Sequence, residues 1–277
     1  MKKTRIGILG CGAIGEGVAL FIEKHLATHA ILWGVSDRDT EKAEHLLGRL
    51  SSTARIFDAD ALARNVDLII ETASVEAARE ILAKALRYRK DVVILSVGAL
   101  VGNRDLLRAA QKRSSKIYIP SGAICGVDGL GALSLGNIRR ITLTTSKPPR
   151  GLAGARYLTE KKINLSNLKS EKLIFQGSVN EAIKYFPQNI NVAATLFLAA
   201  SLNSHGKVRE KNIKVAIKAD PAVSANVHHI VIEAEETSVE IIIKNVPSKI
   251  NPKTSALAIL STQSLLKKMF SPFKVGS

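Results

Sequence analysis

Cysteine is nearly absent: Cys11 and Cys125 are the only two. Two thiols cannot build a disulfide framework and are too few for a structural zinc site, so no metal is expected. The scarcity fits a reducing, cytoplasmic setting. Aromatic residues make up only 4% of the chain, which leaves the core to Ile, Leu, Val and Ala. No stretch reaches the roughly 18 uninterrupted apolar residues needed to span a membrane. The opening Lys2-Lys3-Thr4-Arg5 and the apolar run behind it superficially resemble a secretion signal. Gly7, Gly10, Gly12 and Gly15 break that run, and a strand entering a Gly-rich turn explains it better. Acidic residues are also scarce, 24 Asp+Glu against 40 Lys+Arg, for a formal net charge of +16. Such an excess attracts anions of any kind. Apart from pairs such as Arg139–Arg140, Lys161–Lys162 and Lys267–Lys268, the basic residues are scattered. No basic run is interleaved with aromatics, so nucleic acid is not an expected partner.

What is present is a chain of 277 residues with 46% hydrophobic content, enough for one or two domains with substantial cores. The first 120 residues alternate strand and helix. Short apolar strands are expected at Thr4–Leu9, Ile31–Ser36, Arg55–Phe57, Asp67–Thr72, Asp91–Leu95 and Lys116–Ile119. Helical patterns lie between them at Ile14–Ala27, Thr40–Leu50, Val75–Arg89 and Asn103–Ser114, with Ser74 as an N-cap. Nearly continuous apolar strands separated by amphipathic helices predict a doubly wound parallel sheet covered on both faces, a Rossmann arrangement. The turn after the first strand reads Gly10-Cys11-Gly12-Ala13-Ile14-Gly15, a G-x-G-x-x-G that follows a strand and opens a helix. Gly10 permits the tight turn, Gly12 lets the backbone approach a pyrophosphate, and Gly15 allows close packing. Gly10, Gly12, Ala13, Ile14 and Gly15 are therefore candidate cofactor contacts. Asp37 ends the second strand, where a carboxylate can bind a ribose 2′-hydroxyl and favours NAD. Arg38 beside it suits a 2′-phosphate, so NAD and NADP both stay open.

Past Pro120 the pattern changes to an α+β arrangement with a mainly antiparallel sheet. A small-residue loop, 121–129, leads into a helix to about Leu135. Strands are expected at Arg140–Thr145, Leu173–Gln176, Lys214–Lys218, Val227–Glu233 and Val239–Lys244. Ser178–Glu181 is a capping box opening a helix through Tyr185, and Asn191–Leu202 is an apolar helix. Residues 151–167 read as irregular and exposed. The resulting division is a dinucleotide-binding domain over 1–120 and an α+β substrate, catalytic and dimerisation domain over 121–252. A final amphipathic helix, 254–270, packs back on the first domain.

Three further stretches carry a resemblance. Ser121–Gly129 (SGAICGVDG), Ser178–Val192 (SVNEAIKYFPQNINV) and Asp220–His228 (DPAVSANVH), with the Gly-rich turn, are similar to motifs of the L-aspartate dehydrogenases of the NadX type. The resemblance spans nearly the whole chain in the same order. It implies oxidative deamination of L-aspartate with NAD or NADP, through iminoaspartate to oxaloacetate and ammonia, with a link to NAD biosynthesis in some organisms. It also implies a homodimer. One departure is Ser146, where a basic residue is expected.

Several side chains fit such chemistry. Hydrolysis of an imine needs a group that gives and takes a proton, and histidine is suited to it. Of six histidines, His25, His29 and His45 fall on the first domain's helices and turns, and His205 in a loop. His228 lies at the start of a strand two residues after Asn226 and is the candidate catalytic group. Strand alternation puts Asn226 on the same face, where it would orient the ring, and turns His229 toward the core or a subunit contact. An acid limb near neutral pH is then expected. The resemblance assigns Asn189 to the cofactor and Ala123, through its backbone, to the nicotinamide side. Asn191, Asn226 and Lys147 are candidate substrate contacts, although Lys147 equally reads as a solvated side chain. Alternatives are another Rossmann enzyme of the homoserine dehydrogenase or dihydrodipicolinate reductase type, or an NAD(H)-binding regulator without catalysis.

Overall fold

The computed structural model describes residues 2–186, 190–202, 204, 207–248 and 254–276, except the side chains of Arg104 and Leu107. The chain forms two compact units, residues 1–122 with 258–273 and residues 123–257 with 274–277.

Unit 1 alternates strands and helices: β1 (Thr4–Leu9), α1 (Ala13–His25), β2 (Ala30–Ser36), α2 (Thr40–Gly48), β3 (Arg55–Ile56), α3 (Ala59–Asn65), β4 (Leu68–Glu71), α4 (Val75–Arg87), β5 (Asp91–Ile94), α5 (Arg104–Arg113) and β6 (Ile117–Tyr118). The six strands are all parallel, in the order β3-β2-β1-β4-β5-β6. This is the doubly wound Rossmann order, whose direction reverses between β1 and β4. The pattern explains it. Every residue of β4 is buried, as expected for a central strand covered on both faces. Helix α4 buries Ala78, Ile81, Leu82, Ala85 and Leu86, one helical face, and the Ser74 hydroxyl caps it through Ala77 N at 3.3 Å. Helix α3, absent from the sequence reading, is a short turn capped by Asp58, which accepts from Asp60 N and Ala61 N.

Unit 2 contains α6 (Val127–Leu133), β7 (Ile138–Lys147), α7 (Arg156–Glu160), β8 (Lys172–Gly177), α8 (Val179–Tyr185), α9 (Asn191–Leu202), β9 (Ile213–Ala219), β10 (Val227–Ala234), β11 (Ser238–Lys244) and the start of α10 (Ala256–Phe270). Its five strands run β11-β10-β7-β9-β8. All neighbours are antiparallel except β7 and β9, which pair in parallel. Segment 151–167 differs from expectation. It carries α7 and buries Leu152, Leu158 and Leu165, while Tyr157 packs edge-on against Phe175 and Tyr185. Its apolar residues are spaced six and seven apart, a period that announces neither a long helix nor a strand.

Most of α10 belongs to unit 1. Leu266 enters the core formed by Ile6, Ile8, Val18, Ile22 and Leu32. Gln263 Nε2 donates to Gly17 O at 2.9 Å, and a Cβ on Gly17 would press into Ile259.

Candidate active site

The Gly-rich turn caps β1 beside the point where strand order reverses. Gly10 has φ +103°, a conformation that favours glycine. A Cβ on Gly15 would collide with the Gly10 carbonyl oxygen. Gly12 differs: its φ of −77° suits any residue, and a Cβ there would meet nothing within 4 Å. Neither backbone nor packing demands glycine at position 12, which leaves close approach of a ligand as the reason for it. Helix α1 begins at Ala13 and Ile14, so its first N–H groups sit at this opening. The turn is held from behind. Gly10 N donates to Ser36 O at 2.7 Å, and the Thr72 hydroxyl donates to Gly10 O at 2.7 Å. The cradle therefore fits a dinucleotide's pyrophosphate.

Asp37 stands at its rim, with Oδ2 accepting from Cys11 N at 2.7 Å and Oδ1 from Asp39 N at 3.0 Å. Each carboxylate oxygen retains a lone pair for a ribose hydroxyl. Arg38 is exposed next to it. Burial, and then the Asp37 charge, push the Cys11 thiol up to about 12, so it is no nucleophile. Glu71, fully buried at the end of β4, accepts from Ala73 N at 2.8 Å, Ser96 N at 2.9 Å and Ser96 Oγ at 2.8 Å. It ties together the turns that follow β4 and β5. Burial raises its carboxyl pKa against those hydrogen bonds.

Unit 2 holds a buried imidazole and a buried ammonium. Along β7 the buried side chains run Ile141, Leu143, Thr145, Lys147; along β10 they run Ile232, Ile230, His228. Both aliphatic rows turn polar at the same end of the sheet. Thr145 is the direct antiparallel partner of His228, and Thr145 Oγ1 lies 2.9 Å from His228 Nδ1. Lys147 falls two residues further along the same face. His228 is 3% exposed and Lys147 6%. Burial, and then the Lys147 charge, lower the His228 imidazole to about 4. Burial lowers the Lys147 ammonium to about 8. The expectation of a near-neutral imidazole is thereby corrected: desolvation and a neighbouring ammonium favour the neutral ring.

Three further corrections concern this face. The ring's hydrogen-bond partner is the Thr145 hydroxyl across the sheet, in the part expected of Asn226. Of the two places expected for His229, the core is not the one it takes: it is half-buried on the opposite face, with Nε2 2.6 Å from Glu240 Oε1. Lys147 is buried, not solvated. Asn191 is the first residue of α9. Asn189 and His205 lie outside the described residues. Thr145 and Asn245 were missed by sequence reasoning. A polar residue inside an alternating apolar strand, as in Ile141-x-Leu143-x-Thr145-x-Lys147, was the available signal for the first.

Ala123, half-buried, precedes α6 in a loop bent by Gly122 (φ +66°) and Gly126 (φ +77°). Its carbonyl accepts from Asn245 Nδ2 at 3.2 Å. A cavity of about 720 Å³ in the same unit is lined by Arg150, Leu158, Lys162, Leu165 and Pro221 among others. None of Thr145, Lys147 and His228 lines it.

Known proteins match both units. A family described as aspartate dehydrogenase, C-terminal, matches residues 128–269. One described as homoserine dehydrogenase, NAD binding domain, matches residues 10–120. L-aspartate dehydrogenases of Methanosarcina barkeri and Methanococcus maripaludis are 41% and 39% identical, each over 99% of both chains. The crystal structure of an aspartate dehydrogenase from Thermotoga maritima superposes with a TM-score of 0.76 at 26% identity, covering 99% of this chain and all of that one. A myo-inositol dehydrogenase from Lactobacillus casei, 14% identical with a TM-score of 0.58, shares the fold alone. The cofactor class is accordingly NAD or NADP, and the chain belongs to the aspartate dehydrogenase family.

Proposed function

We propose that this protein oxidises L-aspartate with NAD or NADP, giving iminoaspartate, which is hydrolysed to oxaloacetate and ammonia. The observation that carries the reading is the buried Thr145–His228–Lys147 end of an otherwise aliphatic sheet face, in a chain of this family. The bound nicotinamide supplies the hydride acceptor for the substrate Cα–H; the chain's own residues bind, orient and move protons. The Lys147 ammonium pairs with a substrate carboxylate, and Asn191 and Asn226 are further substrate contacts. His228 accepts a proton from the water that adds to the imine carbon and returns one to the departing ammonia. For Nε2 to act as that base, the ring carries its proton on Nδ1 and donates it to Thr145 Oγ1, which fixes tautomer and ring angle.

Gly10, Gly12, Ala13, Ile14 and Gly15 cradle the pyrophosphate, the Ala123 backbone meets the nicotinamide side, and Asn189 completes the cofactor contacts. Asp37 reads the ribose in favour of NAD, while exposed Arg38 leaves room for a 2′-phosphate. We take the working form to be a cytoplasmic homodimer assembled through unit 2, with iminoaspartate available to NAD biosynthesis. Among the described residues no helix is long and apolar enough to cross a membrane.

The test is a panel of amino acids assayed with both cofactors, following reduced nicotinamide by absorbance. Turnover with L-aspartate is expected. Turnover with another amino acid but none with L-aspartate overturns the substrate. Cofactor binding with no turnover on any of them favours a regulator.

A further inference from the structure

Asn245 is one residue past β11 and, at 9% exposure, is buried. Its backbone N–H and both ends of its side-chain amide are bonded. Its backbone N–H donates to Asn226 O at 3.0 Å, just ahead of β10. Its Nδ2 donates to Ala123 O at 3.2 Å. Its Oδ1 accepts from Ser255 Oγ at 2.6 Å, and that same hydroxyl accepts from Leu257 N at 3.2 Å at the start of α10. The loop lies on β11 at a second place: a Cβ on Gly126 would run into Ile241. Residues 241, 243 and 245 follow the two-residue period of one strand face. The middle one, Ile243, is buried and pairs directly with His228 across the sheet. The Ala123 loop and the backbone that carries His228 are therefore both fastened to the same few residues of one strand.

We propose that Asn245 is a positioning residue that sets the spacing between the Ala123 backbone and the His228 ring. The inference rests on the reading of Ala123 as a contact on the nicotinamide side. The nicotinamide carbon that accepts the hydride and the imidazole that then activates water must both be held to a fraction of an ångström of the same substrate carbon. A buried side-chain amide with both ends bonded provides that rigidity, whereas a loop bent at two left-handed glycines does not provide it alone.

The test separates nicotinamide from the rest of the cofactor. ADP-ribose carries the adenosine, pyrophosphate and second ribose but no nicotinamide. Asn245→Asp keeps the size and the acceptor for Ser255, and sets a carboxylate against the Ala123 carbonyl in place of a donor. Asn245→Ala removes both bonds without adding charge and serves where the Asp variant folds poorly. The Kd for NAD should rise about tenfold, the scale of one lost hydrogen bond. The Kd for ADP-ribose should stay within about twofold, and kcat should fall. Equal weakening of both ligands, or of neither, overturns the proposal. Gly122→Ala disturbs the same loop independently, because φ there is +66° while a Cβ meets nothing within 4 Å. If Gly122→Ala alters the NAD to ADP-ribose ratio and the Asn245 variants do not, Asn245 is excluded and the Ala123 reading stands. If no variant alters the ratio, the Ala123 reading itself fails.

Discussion

The Gly-rich turn of unit 1 and the polar end of the sheet in unit 2 are built from opposite materials. The turn works through what is missing: open space above Gly12, a left-handed Gly10, and backbone N–H groups at the head of α1. The sheet face works through what is added, an imidazole, an ammonium and a hydroxyl placed where aliphatic side chains would continue the core. Backbone sites bind a ligand's invariant phosphates. Buried side chains have their proton affinities set by the surroundings, which chemistry requires and binding alone does not.

The contrast is tested first where the effect is largest. Gly12→Val should fold normally, because nothing occupies the space around that Cβ, yet lose cofactor binding altogether. A folded variant with unchanged NAD affinity, measured by fluorescence titration, would remove the pyrophosphate from this turn. The mirror experiment is His228→Ala. It should lower kcat by roughly 10²–10⁴-fold, the usual worth of a general acid–base group, with NAD affinity nearly unchanged. Loss of NAD binding instead would mean that the two halves do not divide the work in this way.

A smaller effect concerns pH. His228 must be neutral to accept a proton, and its lowered pKa keeps it neutral down to about 4. Lys147 must be charged to hold a carboxylate, and its lowered pKa ends that at about 8. Once the rise from deprotonation of the substrate's own α-ammonium is divided out, the profile of kcat/KM, which then reports free-enzyme groups, should be flat from near 5 to near 7 and fall at higher pH. The alkaline loss should appear as a rise in KM for aspartate and vanish in Lys147→Met. An acid limb near 6.5 would show the imidazole to be normally hydrated. The smallest effect belongs to His229→Ala. The side chain is half-buried, and its imidazole bonds to Glu240 on the neighbouring strand. Activity should be unchanged and stability altered by no more than about 0.5 kcal/mol by denaturant titration.

How much of this was legible in the sequence also differs between the regions. The turn is local: strand, glycines, helix and the carboxylate of Asp37 all fall within residues 4–37, and each announces its conformation by type. The pairing of Thr145 with His228 spans 83 positions, and it exists only through the register of β7 against β10. Alternation along β10 did separate His228 from His229, since the period of a strand is a local property. It did not supply the partner across the strand, and Asn226 was credited with the part that Thr145 plays. The imidazole's environment was misjudged for the same reason. The ring's strand lies between β7 and β11, and the ammonium beside it comes from β7. Segment 151–167 misled because Tyr157 is held by aromatic rings of β8 and α8, partners distant in sequence.

Helix α10 has a consequence for how the protein comes into being. Leu266 belongs to the core around Ile6 and Ile22, but residues 123–257 must be synthesised before it. At roughly 5–20 residues per second, the earliest-made sheet waits on the order of ten seconds for its last wall. During that interval the apolar surface that Leu266 will cover stays open to water and to other nascent chains. Contacts so distant in sequence also form slowly once available. Dinucleotide binding, which needs α1 seated against Gln263 and Ile259, should then be the final event of maturation, after the five-stranded sheet of unit 2 has already closed.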